Sequence, residues 1–508
     1  RPLELAVKSN KRIRRTQVMR WGGGLLAFVI INAVLRLLLL PVNTGEYTDG
    51  VLQLTQFYEP TAIWPPLYTA LCWPLSLIVG QMWSGRIISV LFSSAAVIPI
   101  YMMALRCFGA RAAVFAALVY TVAPASLRWA PRVMTDATFS FFFWCACERL
   151  LAAQAALDRD EANRSLAWAC AWGTLATATR YQGFMLIPPV IAVAIYLWRT
   201  QRFFPLKGVM SILMYSLILP WLLHVGTLHA TQFEQRTAGL GMWKTFLITA
   251  EPFVLYMPYF LTYPVAILAM LGMNQGRSRP RHSMMPITLY VFAVLLVTQS
   301  LFASFQERYF LPFFGLCYIW AGLGLAIVDH RYRRKYPRIR PYVPIVTAVW
   351  SLFISALVMI GSREAFGDVR AAAKYIKEYS RQSSAERVYT NEGWTAIQSR
   401  ATIAPQMRFF SGRMIYYLGD EYFEGSIPLR EGDIVVLSSR YGAEVQGPVL
   451  AQHYRLKELK TFSSVVTPIF PDIMSIPRTD QSMMAWAYRY EPQQFFTTVL
   501  RVEAVLGR

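Results

Sequence analysis

Long apolar runs alternate with short polar segments along this chain, the pattern of helices that cross a bilayer. Residues 21–41 are apolar for about twenty positions, enough to cross a hydrocarbon core of roughly 30 Å. Further runs lie near 83–105, 111–126, 133–156, 165–180, 183–199, 207–226, 251–273, 284–302, 309–328 and 341–361. With the first they predict an α-helical polytopic membrane protein of about 11 spans. The stretch 66–80, PLYTALCWPLSLIVG, is shorter, with Pro66 at its start and Pro74 inside. It reads as a re-entrant or interfacial helix in the first outer loop.

Beyond 361 the pattern changes. EAFGDVRAAAKYIKEYSRQ sets Phe366, Val369, Ala373 and Ile376 at helical spacing. RVYTNE, DIVVLSS and the final FFTTVLRVEAVL read as strands, separated by turns such as EGD and RYGAEVQG. The chain therefore divides into a membrane domain, 1–361, and an extracytoplasmic α/β domain, 362–508, that serves as a lid, an acceptor-binding module or a stabilising cap.

Charge orients this layout. The chain is 55% hydrophobic and 16% charged with a net charge of +21, well under the roughly 25% charged residues of soluble domains. The segments 1–20, 106–111, 157–165, 199–207, 274–283 and 329–340 together hold 23 Lys or Arg, against six in 42–65, 127–132, 180–182, 227–250 and 303–308. Positive-inside logic puts the N-terminus and the first set in the cytoplasm and the second set outside. Counting 66–80 as a full span would invert this bias. The basic residues thus encode topology, and with no recognition module legible, nucleic acid is not an expected partner. No cleavable signal peptide is legible. The six cysteines lie in or beside apolar runs without metal-site spacing, as small packing residues do. Glycine-rich phosphate loops, nucleophile elbows and HExxH are missing, which argues against nucleotide-sugar or ATP chemistry.

The chemistry-bearing residues cluster on the outer face. The loop 41–68, PVNTGEYTDGVLQLTQFYEPTAIWPPLY, carries Glu46, Asp49 and Glu59 and no Lys or Arg. Glu46 and Asp49 face the same way if a helical turn begins there, and an interfacial carboxylate can act as general base. The plainer reading is a solvated loop with a helix cap, and Glu59, before Pro60, reads as structural. In SLRWAPRVMTDATFSFFFW, Asp136 sits at an apolar boundary where an ionised group needs a partner. Thr135-Asp136 could be a helix cap, yet Arg128 and Arg132 upstream, outside against the charge bias, suggest an anionic ligand. Arg180 with Tyr181 and Gln182, and Glu307 with Arg308 and Tyr309, mark two further outer edges, either as interfacial anchors or as phosphate contacts. His224, His229, Glu234 and Arg236 line a large outer loop and could join them. Arg36, inside the first run, is expected to snorkel outward, the alternative being an acid of the site.

The order of these features resembles the glycosyltransferase family 39/83 group of the GT-C superfamily. It comprises the acidic loop, PPLY, a CFGARAA turn, TVAPASLRWAPRVMTDATFSFFF, RYQG and RYFLP. The chain is similar to protein O-mannosyltransferases and lipid A aminoarabinose transferases over roughly 20–330, most specifically over 42–142. The resemblance implies a GT-C-like membrane fold, a polyprenyl-phosphate sugar as donor, and inverting transfer to a lipid, glycan or protein acceptor outside the cell (inner) membrane. It makes the first-loop acid the base and matches Asp136 to a second-loop acid that orders acceptor, donor or metal. The phosphate would be held by arginines, among Arg128, Arg132, Arg180 and Arg308 with Tyr309, or by a divalent cation. The family usually shows Asp-Glu where this chain has Gly45-Glu46 and then Asp49, so either acid can inherit the base. Trp64 replaces a frequent His or Lys, and Gln182 replaces a frequent Glu, which excludes an acid there. A transporter of lipid-linked sugars and a non-catalytic scaffold are the alternatives. No internal repeat favours the transporter.

Overall fold

The computed structural model describes residues 24–57, 64–156, 158–201, 205–216, 242–276, 284–301, 306–335, 342–382, 387–395, 402–423, 425–467, 469 and 492–506. The basic tail 1–20, Glu59, His224, His229, Glu234, Arg236 and the basic segments 277–283 and 336–340 lie outside the described residues.

The chain is mostly helical. Among the described residues five helices are long and apolar enough to cross a membrane: Gly24–Val42 (α1), Gln81–Phe108, Tyr181–Thr200, Glu307–Arg331 and Tyr342–Ser362. Shorter apolar helices span Leu67–Val79, Ala110–Val122 and Met284–Ser300. Leu38, Leu77, Ile78, Met270, Ile345 and Val349 are exposed on these helices, an apolar surface that suits an integral membrane protein. One expected span is broken. The run 251–273 forms two helices, Phe253–Leu261 and Tyr263–Gly276, bent by 101°. Thr262 takes φ 67° at the break, a left-handed conformation costly for a β-branched residue, and Pro264 follows it and disfavours a continuous helix.

After α1 a short helix, α2 (Thr48–Thr55), precedes α3 (Leu67–Val79), which starts after Pro66 and ends at Gly80 with φ 80°. The 13 residues of α3 span about 20 Å at 1.5 Å per residue, short of a bilayer core. It packs on α4 (Gln81–Ala95), where the Tyr68 hydroxyl bonds the Gly85 carbonyl at 2.9 Å. The buried core of the helical part is aromatic. Trp144 donates to the Pro312 carbonyl at 2.9 Å and Trp320 to the Thr288 hydroxyl at 2.9 Å, so both indoles are satisfied.

Arg36 does not snorkel. It is fully buried, donating to Asn32 Oδ1 and, at 2.8 Å, to Ser126 Oγ, with its guanidinium 5.1 Å from the Tyr120 ring centroid. Neighbouring polar side chains accept from both of its terminal nitrogens, so it is held inside the helical packing.

The C-terminal part contains a five-stranded sheet in the order β4-β1-β5-β7-β6: Tyr416–Tyr417, Val388–Thr390, Ile434–Ser438, Gln493–Val505 and Tyr454–Val466. Two short strands, β2 (Trp394–Thr395) and β3 (Thr402–Ile403), pair antiparallel beside it. β1, β4 and β5 are parallel, and β7 runs antiparallel to β5 and β6. A helix, Gly367–Gln382, buries Val369, Ala373 and Ile376 against it, as the spacing predicts. RYGAEVQG is not a turn throughout. Gly442 takes φ 89° and a helix, Ala443–His453, starts directly after it. Inside the domain Asp368 is buried and accepts from Arg440, Ser464 and Thr497.

Candidate functional site

The loop that follows α1 is held between two parts of the chain. On one side its backbone touches the segment leading into the C-terminal helix: Thr44 N–H donates to Arg363 O at 2.9 Å, and a Cβ on Gly45 would stand 1.9 Å from Ala365 O. On the other, α2 lies against 131–134, where a Cβ on Gly50 would stand 2.2 Å from Val133 O. No side chain fits at either glycine, and this tight seating defines where the loop's two acids point.

Glu46 points inward. Its carboxylate is fully buried, accepting from Arg86 Nε at 2.5 Å and from Val133 N–H at 3.2 Å. Arg86 also bonds the carbonyls of Leu40, at 3.1 Å, and Asn43, at 3.0 Å. One guanidinium thus ties the end of α1 to the loop. Asp49 lies in the first turn of α2, where the helix dipole favours a negative charge. Its side chain keeps 19% exposure and pairs with Arg308.

Arg308 is the hub of the second cluster. Besides Asp49 it faces Asp136 at 3.9 Å and the Tyr309 hydroxyl at 3.1 Å. Asp136 in turn accepts from Arg180 at 2.7 Å, and Arg180 is oriented by Gln182 Oε1 at 3.0 Å and lies 5.1 Å from the Tyr309 ring centroid. Asp136 is the second residue of a helix, Thr135–Ala155, whose cap residue is Met134 with no side-chain cap. Its carboxylate therefore holds an arginine instead of capping. Asp49, Asp136, Arg180, Arg308 and Tyr309 are brought together, while Glu46 is held apart.

Arg128 and Arg132 are engaged elsewhere. Arg128 pairs with Glu307 and donates to the Tyr47 hydroxyl at 3.0 Å. Arg132 donates to the Ser362 carbonyl at 2.6 Å, with its guanidinium 4.8 Å from the Tyr47 ring centroid. Each of the four acids, Glu46, Asp49, Asp136 and Glu307, faces its own arginine. Arg132 makes no ion pair among the described residues, which leaves this cluster with more guanidinium groups than carboxylates. An anion suits that excess.

Among the described residues no group of three or more His, Cys, Asp or Glu side chains is placed to hold a metal. Asp49 and Asp136 both face guanidinium groups.

Sequence reasoning missed Arg86, Tyr47 and Gln406. Arg86 had a signal, since it is the one charge in QMWSGRIISVLFSSA and needs a partner there. Gln406, buried in a short helix, Pro405–Ser411, donates to the Glu46 carbonyl at 2.7 Å, and nothing local in PQMRFFS marks it.

Residues 64–224 match the model of a family described as dolichyl-phosphate-mannose-protein mannosyltransferase. The structure is similar to ArnT from Cupriavidus metallidurans in the apo state, with TM-score 0.60 and 16% identity over 87% of this chain and 96% of that one. It is similar to the same protein bound to undecaprenyl phosphate, with TM-score 0.57 and 16% identity over 86% and 96%. The oligosaccharyltransferase AglB of Archaeoglobus fulgidus, in complex with an inhibitory peptide and a dolichol-phosphate, gives 0.50 and 13% over 85% and 72%. No curated protein matches the chain by sequence. Identities this low establish the fold. With the family match over residues 64–224 they agree with the expected resemblance to GT-C membrane glycosyltransferases.

Proposed function

We propose that this chain transfers a sugar from a polyprenyl-phosphate-linked donor to a lipid, glycan or protein acceptor on the extracytoplasmic face of the cell membrane, with Asp49 as the base. The observation that carries this reading is the contrast within the first loop. Asp49 keeps exposure beside Arg308, Arg180 and Tyr309, whereas Glu46 is sealed against Arg86. The family match to dolichyl-phosphate-dependent mannosyltransferases and the polyprenyl phosphates held by ArnT and AglB support the donor class.

Arg308 and Arg180 are the phosphate ligands in this scheme, since guanidinium matches phosphate bidentately. A donor phosphate arriving there competes with Asp49 for Arg308 and frees the carboxylate. Asp49 then accepts the proton of the acceptor hydroxyl or amine as its heteroatom attacks the anomeric carbon. The bond from that carbon to the phosphate oxygen breaks, its electron pair stays on the phosphate, and the anomeric configuration inverts. The leaving group is stable as an anion, so fixed guanidinium groups are enough to stabilise it. Asp136 keeps Arg180 and Arg308 in register. Arg128 and Arg132 keep the loop 41–57 and the late helices together and act on the phosphate only through their field.

The test is release of polyprenyl phosphate from radiolabelled polyprenyl-phosphate sugars by the purified protein. Turnover that survives both Asp49→Asn and Arg308→Met would remove this reading.

A further inference from the structure

The C-terminal domain holds the loop that carries the proposed base through several side chains. Gln406 is fully buried and its amide donates to the main-chain carbonyl of Glu46 at 2.7 Å. The donor is itself fixed, because Glu392 accepts from the N–H groups of Gln406 and Met407, both at 2.9 Å. Phe409 of the same short helix packs with the cluster of Leu54 and Tyr68, on the far end of α2. Arg370, from the amphipathic helix, donates to the Thr44 carbonyl, and Phe410 lies 5.2 Å from its guanidinium. The domain thus grips the loop at residues 44 and 46 and α2 at residue 54, on both sides of Asp49.

We infer that Gln406 is a positioning residue for the reaction: through the Glu46 carbonyl it sets the start of α2 and hence where Asp49 stands relative to Arg308. The chain from 46 to 49 is short and internally bonded, with Gly50 and Val51 N–H groups both returning to the Tyr47 carbonyl at 3.0 and 3.1 Å. A shift at Glu46 is therefore passed to Asp49 with little room to dissipate. The domain is a working wall of the site rather than an appended cap. This inference rests on the reading of Asp49 as base.

The experiment uses the full chain in lipid nanodiscs, with undecaprenyl-phosphate esters of radiolabelled pentoses and hexoses as donors. Gln406→Met keeps the volume and removes the donor group; Gln406→His returns a neutral N–H donor without burying a charge. Arg387→Met breaks the Arg387–Asp433 pair of the same domain and serves as the control for lost domain stability. Gln406→Met should lower kcat about tenfold to a hundredfold, as a misplaced reacting group does, with donor KM within about twofold because the phosphate ligands are untouched. It should also speed hydrogen exchange of amides 48–55, and Gln406→His should recover most of both. Arg387→Met should lower Tm and leave kcat alone. Wild-type kcat and exchange in Gln406→Met, or an equal fall of kcat in Arg387→Met, would overturn the inference. If the wild type releases undecaprenyl phosphate from none of the donors, the reading of Asp49 fails separately. The exchange of 48–55 in Gln406→Met then still decides whether the domain positions the loop.

Discussion

The two ends of one short loop have opposite fates. Around Glu46 the chain is sealed: the carboxylate has no exposure, its arginine bridges three points of the backbone and side chains, and the C-terminal domain closes over its carbonyl. Around Asp49, three residues on, the carboxylate stands at the start of a helix, partly exposed, against an arginine shared with a second acid. A buried pair with every other bond satisfied is scaffolding, because moving either partner leaves a charge stranded. An acid whose partner has a competing claim is poised to exchange it. Two carboxylates three positions apart thus differ in burial and partner, and in the proposed reading one serves architecture and the other chemistry.

Changing the two acids separately tests that division. Asp49→Asn should lower transfer about 10²–10⁴-fold, the usual worth of a general base, while Tm stays near wild type; a purified transfer assay beside a thermal melt reads both. Glu46→Gln should act the other way round. It strands Arg86 and costs about 3–5 kcal/mol of stability, seen as a lower Tm and lower yield of folded protein. Glu46→Met with Arg86→Met should recover most of that loss, as an apolar replacement of a buried pair does. If Glu46→Gln is stable but inactive and Asp49→Asn is active, the roles are reversed.

A smaller effect is expected from the phosphate ligands. Arg308→Lys and Arg180→Lys keep the charge and lose the bidentate fork. Each should raise donor KM about tenfold, worth about 1.4 kcal/mol, measured as initial rates against donor concentration.

An effect on stability alone, with none on turnover at fixed pH, concerns the grip of the C-terminal domain. Burial pushes the Glu392 carboxyl up from 4.5 to about 7, against the two N–H bonds that hold it down. The folded state thus binds this proton more tightly than the unfolded one. Its contribution to stability is complete below pH about 4.5 and is lost as pH rises through about 7. Over that window Tm should fall with rising pH by an amount corresponding to about 1–3 kcal/mol. Glu392→Gln should flatten the slope in a melt series.

Much of the outer site was legible in the sequence because charge at an apolar boundary demands explanation. Asp136, Arg180 and Arg308 stand where an ion without a partner is costly, and the structure pairs them. The amphipathic helix and the strands β1, β5 and β7 followed from periodicity. The choice between Glu46 and Asp49 was not legible, since it depends on Arg86, forty residues away on α4. Gln406 is farther still, 360 residues from the carbonyl it holds, and its local pattern is that of any short helix. β6, YRLKELKTFSSVV, escaped notice because an edge strand carries charges on its open side. The bend at Thr262 escaped because an apolar run does not record a left-handed residue within it.

The most direct measurement is a cryo-EM map of the protein in nanodiscs with undecaprenyl phosphate. The account predicts phosphate density against Arg308 and Arg180, with the Arg308–Asp49 pair opened and the Glu46–Arg86 pair intact. Phosphate seated elsewhere, with Arg308 still closed on Asp49, would contradict it.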